Sequence, residues 1–228
     1  MKATSEIPSL LYKYMSEEYA HAFLRHGHVL FRNLTSFKQM ENLARGDVRE
    51  GCHVDNPPND VVLSDPQTGR QIARGKFSMR TTIQTNRIFV LCMSKAYDER
   101  LFLDFDCGAC VMIRNPVEFI RRCDRTLKRL LYLDRTGCVS GSVEYYGFDR
   151  QCQLDIIDPY NIPFLKYDSF VTQQEFRLCF GRRGAFKGTK RLIADQEWNT
   201  APDHRDGIAK SHLLKIGNIS DIADIRMV

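Results

Sequence analysis

The feature that most constrains the fold is an alternating stretch in the last third of the chain. Over residues 173–180, polar and apolar side chains alternate with the two-residue period of a β-strand. The apolar face carries Phe176, Leu178 and Phe180, and the polar face carries Gln173, Glu175 and Arg177. The pattern predicts a strand that packs one face on a core and directs amide, carboxylate and guanidinium groups into a cleft or into solvent.

The beginning of the chain is divided into short elements. Residues 10–14 predict a strand, and Ser16 is placed to begin a helix that Gly27 ends. A strand over residues 28–33 and a second helix from Thr35 follow. This order predicts a compact strand–helix–strand unit at the start of the fold.

The middle of the chain contains the predicted centre of the core. Residues 87–94 are almost continuously apolar, which predicts a strand buried on both faces. Pro116 is placed to begin a helix with arginines on its outer face. The predicted apolar stripe of that helix is Val117, Ile120, Cys123, Leu127, Leu130 and Leu131. Further strands are predicted over residues 61–63, 71–79, 109–113, 138–146, 190–194 and 212–216, with 190–194 pairing back on the 173–180 strand.

These elements predict one α+β domain with a mostly antiparallel central sheet and flanking helices. The 228 residues are enough for one large domain, and they contain no internal repeat or linker. We expect a core over about residues 9–181 and a C-terminal appendage over about residues 182–228.

Composition restricts the cellular compartment and the partners that we expect for the chain. No apolar run approaches the roughly 20 residues of a membrane helix, and the first residues lack the apolar core of a signal peptide. The eight cysteines lie mostly in apolar runs, which is typical of reduced thiols. We therefore expect a cytoplasmic protein without a membrane partner. The net charge of +5 favours a phosphate-bearing partner without identifying one.

Common site motifs are missing from the sequence. Cys107 and Cys110 have CxxC spacing, but no second pair supplies the remaining ligands, so no metal site is predicted. No phosphate-binding glycine loop and no Gly-x-Ser-x-Gly motif occurs. Residues 45–51 form a charged loop that contains Arg45, Arg49 and the two glycines Gly46 and Gly51. This loop is either a phosphate clamp or a solvated, self-paired loop.

Four short motifs, taken in order, carry a resemblance. They are the strand over residues 11–14, the acidic pair Asp47 and Glu50, the strand end with Cys92 and Ser94, and residues 173–177. In this order the chain resembles an uncharacterised bacterial domain family found in phage-defence and abortive-infection loci. The arrangement is also similar to the NAD-binding ADP-ribosyltransferase fold.

The resemblance implies a set of site residues and NAD as substrate. It places Lys13, where the family has arginine or histidine, or Tyr14 on the first strand, with Ser94 on a middle strand. It makes Glu175 the catalytic carboxylate and puts Gln173 in the position two residues ahead of it. Lys13, Tyr14, Arg45, Arg49 and Arg177 are the expected NAD contacts, and Asp104 is left open as a member of the site.

The implied chemistry suits these residue types. Cleavage of the nicotinamide–ribose bond develops positive charge on the ribose, which a nearby carboxylate stabilises. The same carboxylate can accept a hydrogen bond from a ribose hydroxyl, as in glycosidases. The resemblance implies a toxin or effector that transfers ADP-ribose to a protein or nucleic acid, or hydrolyses NAD, and that has a neutralising or regulatory partner protein.

Two other interpretations remain open from the sequence. The arginine-rich helix, with Arg121, Arg122, Arg125 and Arg129, is compatible with a nucleic-acid-binding or nuclease-like effector. Alternatively, the polar face of the 173–180 strand is solvated, and the chain is a non-catalytic sensor or interaction domain.

Overall fold

The computed structural model describes residues 6–40, 44, 46–55, 59–134, 136–147, 152–155, 157–194 and 207–227. The strands are β1 (Leu11–Met15), β2 (His28–Asn33), β3 (Cys52–Asp55), β4 (Val61–Ser64), β5 (Gln71–Gly75), β6 (Phe77–Thr82), β7 (Ile88–Ser94), β8 (Ala109–Ile113), β9 (Val139–Ser142), β10 (Glu144–Tyr146), β11 (Leu165–Tyr167), β12 (Glu175–Gly181), β13 (Thr189–Ala194), β14 (Ser211–Lys215) and β15 (Ala223–Met227). The helices are α1 (Glu17–His26), α2 (Leu34–Lys38), α3 (Arg100–Asp104) and α4 (Pro116–Leu127), with 3₁₀ turns at Thr85–Arg87, Ile162–Phe164 and Asp168–Gln173.

One large antiparallel sheet organises the fold. β7 lies at its centre and pairs with β12 along its whole length on one side. On its other side, β1 pairs with the end of β7 at Ser94, whereas β2 pairs with its start at Val90 and Phe89. The sheet therefore forks at β7, with β1, β8 and β15 in one branch and β2 and β14 in the other. β9 extends the opposite edge by pairing with β12.

The prediction of an α+β domain with a mostly antiparallel sheet is confirmed. Smaller antiparallel sheets, β13–β6–β3 and β4–β5, accompany the large one, and β10 and β11 form a parallel pair. The 61–63 segment pairs as β4 with β5, the first part of the predicted 71–79 strand, whereas residues 77–79 begin β6, which pairs with β3 and β13. None of the helices in the described ranges combines the length and the apolarity that a membrane crossing requires.

The sheet is buried on both faces. One core contains α1, α4 and the sheet residues Phe89, Leu91, Phe176 and Leu178. The second core lies on the opposite face and contains Val90, Cys179 and Phe164, among others. Because side chains alternate along a strand, β7 and β12 contribute to both cores. The predicted two-sided burial of the 87–94 strand is confirmed.

Helix α1 ends where the sequence predicts. Gly27 adopts a left-handed backbone with φ of 59°, and its N–H is donated to the carbonyl of Ala22. A Cβ at this position would overlap the carbonyl oxygen of Gly217. Glycine is therefore required for both the turn and the close approach of the two chain segments.

Replacement of Gly27 by alanine is expected to destabilise the fold by more than the roughly 1–2 kcal/mol of a left-handed alanine alone. The additional loss comes from the displaced Gly217 backbone. Gly69→Ala is the matched control, because Gly69 has φ of 68° with no atom near its missing Cβ. Urea denaturation of both variants measures the difference. Equal losses would mean that the Gly217 contact contributes nothing.

The C-terminal segment is not the predicted appendage. β14 pairs with β2, and β15 pairs with β8, so both strands belong to the large sheet. β13 pairs with β6 and not with β12, which corrects the predicted hairpin. Strand patterns alone do not identify partners, because pairing depends on contacts between distant segments.

Two further predictions need correction. α4 ends at Leu127 and buries Phe119, whereas Val117 is exposed at 59% and Leu131 at 87%. β12 begins only at Glu175, because Gln173 closes the preceding 3₁₀ turn. Its polar residues are also buried, since cationic and anionic side chains pair within the fold. Of the two alternatives, a cleft or solvent, the solvated strand face is therefore wrong.

Candidate functional site

The fork in the sheet places distant segments beside one another. Ser94 is the register partner of both Tyr12 on β1 and Glu175 on β12. Between Val90 and Ser94, that side of β7 has no strand partner in the described ranges. The Lys13 ammonium donates a hydrogen bond of 2.8 Å to the Cys92 carbonyl in this gap. The gap thus leaves room for a cleft between β1 and β2.

A cavity of about 290 Å³ opens at this fork. Its wall comes from β1, β2, β7, α1, the start of β12 and residues near Phe105. Of the predicted site residues, the structure brings together Lys13, Tyr14, Ser94, Gln173 and Glu175 as lining residues. The volume is at the lower end of the roughly 300–1,000 Å³ found for ligand pockets.

Aromatic rings form one side of the cavity. Tyr14 packs edge-on against Phe105, with 6.0 Å between ring centroids, and its hydroxyl accepts the Asp98 backbone N–H at 2.7 Å. Burial raises the pKa of Tyr14. Tyr14 is therefore a neutral phenol in the aromatic part of the cavity wall.

Glu175 is the buried anionic group among the described residues of the wall. One carboxylate oxygen pairs with the Lys166 ammonium, and the other accepts a 2.7 Å hydrogen bond from Arg177 Nε. Burial opposes ionisation, but the Arg177 and Lys166 charges outweigh it and hold the pKa of Glu175 below its usual range. Lys166 also donates to Gln173 Oε1 at 2.9 Å. Glu175 is therefore a fixed, ionised carboxylate at neutral pH.

Arg177 is held behind Glu175. Its side chain is fully buried and makes a two-pronged pair with Glu50, at 2.6 and 3.0 Å, and also donates to the Pro163 carbonyl. Burial raises the pKa of Glu50, although the Arg177 charge opposes this rise. The prediction that Arg177 contacts NAD needs correction, because its donors are occupied inside the protein. Arg177 is a positioning residue for Glu175.

Local backbone features place these groups. Gln174 has a left-handed backbone, with φ of 43°, between the 3₁₀ turn and β12. The Glu175 N–H is donated to the Tyr145 hydroxyl at 2.8 Å, and the Gln173 amide donates to the Ala44 carbonyl. Gln173 thus reaches the cluster from a turn, although it lies outside the strand.

The Ser94 hydroxyl has a local role in addition to lining the cavity. It donates to the Ala96 carbonyl at 2.7 Å and accepts the Ala96 N–H at 3.2 Å. These bonds close the turn after β7. Since the hydroxyl proton is already engaged, Ser94 is placed to shape the cavity more than to transfer a proton.

The charged loop does not act as predicted. Arg45 lies outside the described residues. The Arg49 guanidinium lies 5.1 Å from the Tyr167 ring centroid, and Arg49 is not among the described residues that line the cavity. Glu50 is buried against Arg177, so this part of the loop is not solvated. Asp104 is exposed outside the cavity, whereas Asp106 lines it.

Sequence analysis missed Lys166, Tyr145 and Arg32 as members of this site. Lys166 follows the apolar run of the Ile162–Phe164 turn and Leu165, and a lysine in such a run indicates a buried partner. No comparable signal marks Tyr145 or Arg32.

Among the described ranges, no group of three or more histidine, cysteine or acidic residues could hold a metal ion.

The arginine-rich helix is partly neutralised by its own surroundings. Arg121 and Arg122 both pair with Glu118, at 2.6 and 2.8 Å, and Arg122 also pairs with Asp221. Lys128 pairs with Asp124. These contacts reduce the positive potential that a nucleic-acid interface needs.

Comparisons with known proteins find no counterpart. No protein-family model, no curated protein and no solved structure matches the chain. The geometry of the fork cavity is therefore the basis on which a function can be inferred.

Proposed function

We propose that the fork cavity binds NAD and that the protein cleaves its nicotinamide–ribose bond, as an ADP-ribosyltransferase-like enzyme or an NAD glycohydrolase. One observation carries the proposal: Tyr12, Ser94 and Glu175 form a row across three neighbouring strands. This row supports the ADP-ribosyltransferase-like strand order expected from the sequence. Lys13, which follows Tyr12 on β1, lines the same cavity as Ser94 and Glu175, so a first-strand cation, a middle-strand hydroxyl and a late glutamate are grouped there.

Glu175 has the properties that the reaction requires. The carbon–nitrogen bond breaks with its electron pair moving to the nicotinamide ring, which leaves neutral while positive charge develops on the ribose. The Glu175 carboxylate stabilises that charge. An acceptor hydroxyl, or water, then bonds to the ribose carbon and loses its proton. A carboxylate has about four acceptor sites, so Lys166 and Arg177 leave others for the ligand.

The other lining residues contribute binding and shape. Gln173 and Lys166 orient Glu175 through their mutual hydrogen bond, and Lys13 closes the gap at Cys92. Tyr14 offers an aromatic ring to the planar nicotinamide. The resemblance to proteins of defence loci extends the proposal to a toxin or effector in anti-phage defence, with a macromolecular acceptor and a neutralising partner.

The direct test is to incubate the purified protein with NAD and to measure free nicotinamide, with and without cell extract. We expect release above the spontaneous rate. Release that requires extract, with ADP-ribose found on a macromolecule, indicates transfer, and release without extract indicates hydrolysis. An absence of release under both conditions, from protein shown to be folded, would contradict the proposed function.

A further inference from the structure

We infer that Arg32 on β2 is the phosphate anchor of the fork cavity, so that a dinucleotide lies across the fork with its phosphates on the β2 side. The inference rests on the proposed function, because that function gives the class of the ligand. Neither the sequence motifs nor the resemblance pointed to Arg32. Of the cations expected to contact NAD, Lys13 lines the cavity on the β1 side, Arg49 and Arg177 are not among its described lining residues, and Arg45 lies outside the described ranges.

The other cations near the cavity already have partners within the protein. Lys166 and Arg177 face Glu175 and Glu50, so this buried cluster of two cations and two anions has no formal net charge. The Lys13 ammonium is hydrogen-bonded to the Cys92 carbonyl. A diphosphate carries negative charge that a neutral cluster does not balance. Lys13 supplies one positive charge on the β1 side, and a diphosphate in a dinucleotide carries two negative charges, so a second cation at another part of the wall is needed.

Arg32 provides that cation in a suitable position. It is exposed, it lines the cavity, and it is the register partner of Val90 on β7 and of Ser211 on β14. In the part of the chain that the structure describes, no ion pair involves Arg32. A guanidinium binds phosphate oxygens in a planar, two-pronged manner that suits a diphosphate.

The two ends of the cavity differ in charge. Asp106 lines it on the β1 side, next to Phe105 and the Tyr14 ring, whereas Arg32 lines it on the β2 side. The nicotinamide ring of NAD is cationic, and its phosphates are anionic. An acidic, aromatic end and a basic end therefore orient the dinucleotide, and Glu175 belongs to the same cavity wall.

The cavity is smaller than a whole dinucleotide. A cavity of about 290 Å³ holds about one nucleoside portion of a dinucleotide, so the remainder must lie at the mouth. Beyond the cavity, the Arg32 face of β2 continues onto β14, where Leu30 and Leu213 are register partners. Leu213 is 47% exposed. This apolar surface suits the adenosine portion that follows the phosphates.

The test compares Arg32→Gln and Arg32→Lys with the unmodified protein in calorimetric titrations with ADP, inorganic pyrophosphate and adenosine. We expect Arg32→Gln to weaken ADP and pyrophosphate binding by roughly ten- to hundredfold, the scale of charge-assisted hydrogen bonds, and to leave adenosine binding unchanged. Arg32→Lys should restore part of the loss. Arg74→Gln is the matched control, since it removes the same charge from β5, which belongs to the separate β4–β5 sheet and is not among the described residues that line the cavity.

Several results would overturn the anchor. These are an equal loss for ADP and adenosine, no loss in Arg32→Gln, a comparable loss in Arg74→Gln, or no binding of ADP and pyrophosphate to the unmodified protein. Failure of the proposed function has a different signature. In that case ADP and pyrophosphate bind in an Arg32-dependent manner, which supports the anchor, while NAD incubated with the same preparation yields no nicotinamide.

Discussion

Replacement of Arg177 by methionine is expected to lower the free energy of unfolding by about 3–5 kcal/mol, the usual cost of removing one partner from a buried ion pair. Arg177 is fully buried between Glu50 and Glu175, at 2.6 and 2.7 Å. Without the guanidinium, Glu50 would be a buried carboxylate without its cation. Methionine fills similar space but supplies no donor, so the loss reports charge and hydrogen bonding more than volume.

Urea denaturation at neutral pH measures this loss directly. For a chain of this length, each kcal/mol shifts the melting temperature by about 2–4 °C, so a decrease of roughly 6–20 °C accompanies it. The compensating variant Arg177→Met with Glu50→Gln removes the uncompensated charge as well, and it should recover most of the stability. A loss of about 1 kcal/mol or less, typical of exposed pairs, would contradict the description of the cluster as buried.

The second large effect concerns activity. Glu175→Gln keeps the shape of the side chain but removes its charge, and it is expected to reduce nicotinamide release by roughly 100–1,000-fold, the scale of other transition-state electrostatic contacts. The assay is single-turnover release of nicotinamide from NAD. Measuring NAD binding alongside it separates a loss of chemistry from a loss of affinity.

The loss of activity in Glu175→Gln must be distinguished from a loss of folding stability in the same variant. Glu175→Gln leaves the Lys166 and Arg177 charges opposed only by Glu50. The double variant Glu175→Gln with Lys166→Met restores charge balance, so it should regain stability while remaining inactive. Glu99→Gln is the matched control, because Glu99 is exposed and lies outside the cavity lining. A folded Glu175→Gln variant with full activity would remove Glu175 from the mechanism and favour a structural role for the whole cluster.

Much of the fold was predictable because its signals are local. The two-residue and helical periods identify β1, β2, β7, β8 and α1, and the caps at Gly27 and Pro116 give helix ends. Strand partners were less predictable. The 182–228 segment was expected to be an appendage, yet β14 and β15 pair within the main sheet. A strand pattern gives the faces of a strand but not the identity of its neighbour.

The candidate site was likewise only partly predictable from the sequence. From the sequence, residues 173–177 indicated a special strand, and the motif order pointed to Lys13, Ser94 and Glu175. These side chains do meet at the fork. Whether the polar face was wet or buried could not be read from the alternation, because an alternating pattern only separates the two faces. The burial of Glu175 depends on Lys166 and Arg177, and that of Arg177 depends on Glu50, 127 residues away.

The sequence by itself determined the elements, their order and the residue types available for chemistry, since periodicity and caps act over a few neighbouring residues. The tertiary structure decided which charges neutralise one another and which reach the cavity. It placed Arg177 and Glu50 in the core, turned Lys166 towards Glu175, and brought Arg32 to the β2 side of the fork. The physical reason is that ion pairing and burial are set by distances across the sheet. Those distances follow from the pairing of strands that lie far apart in the chain.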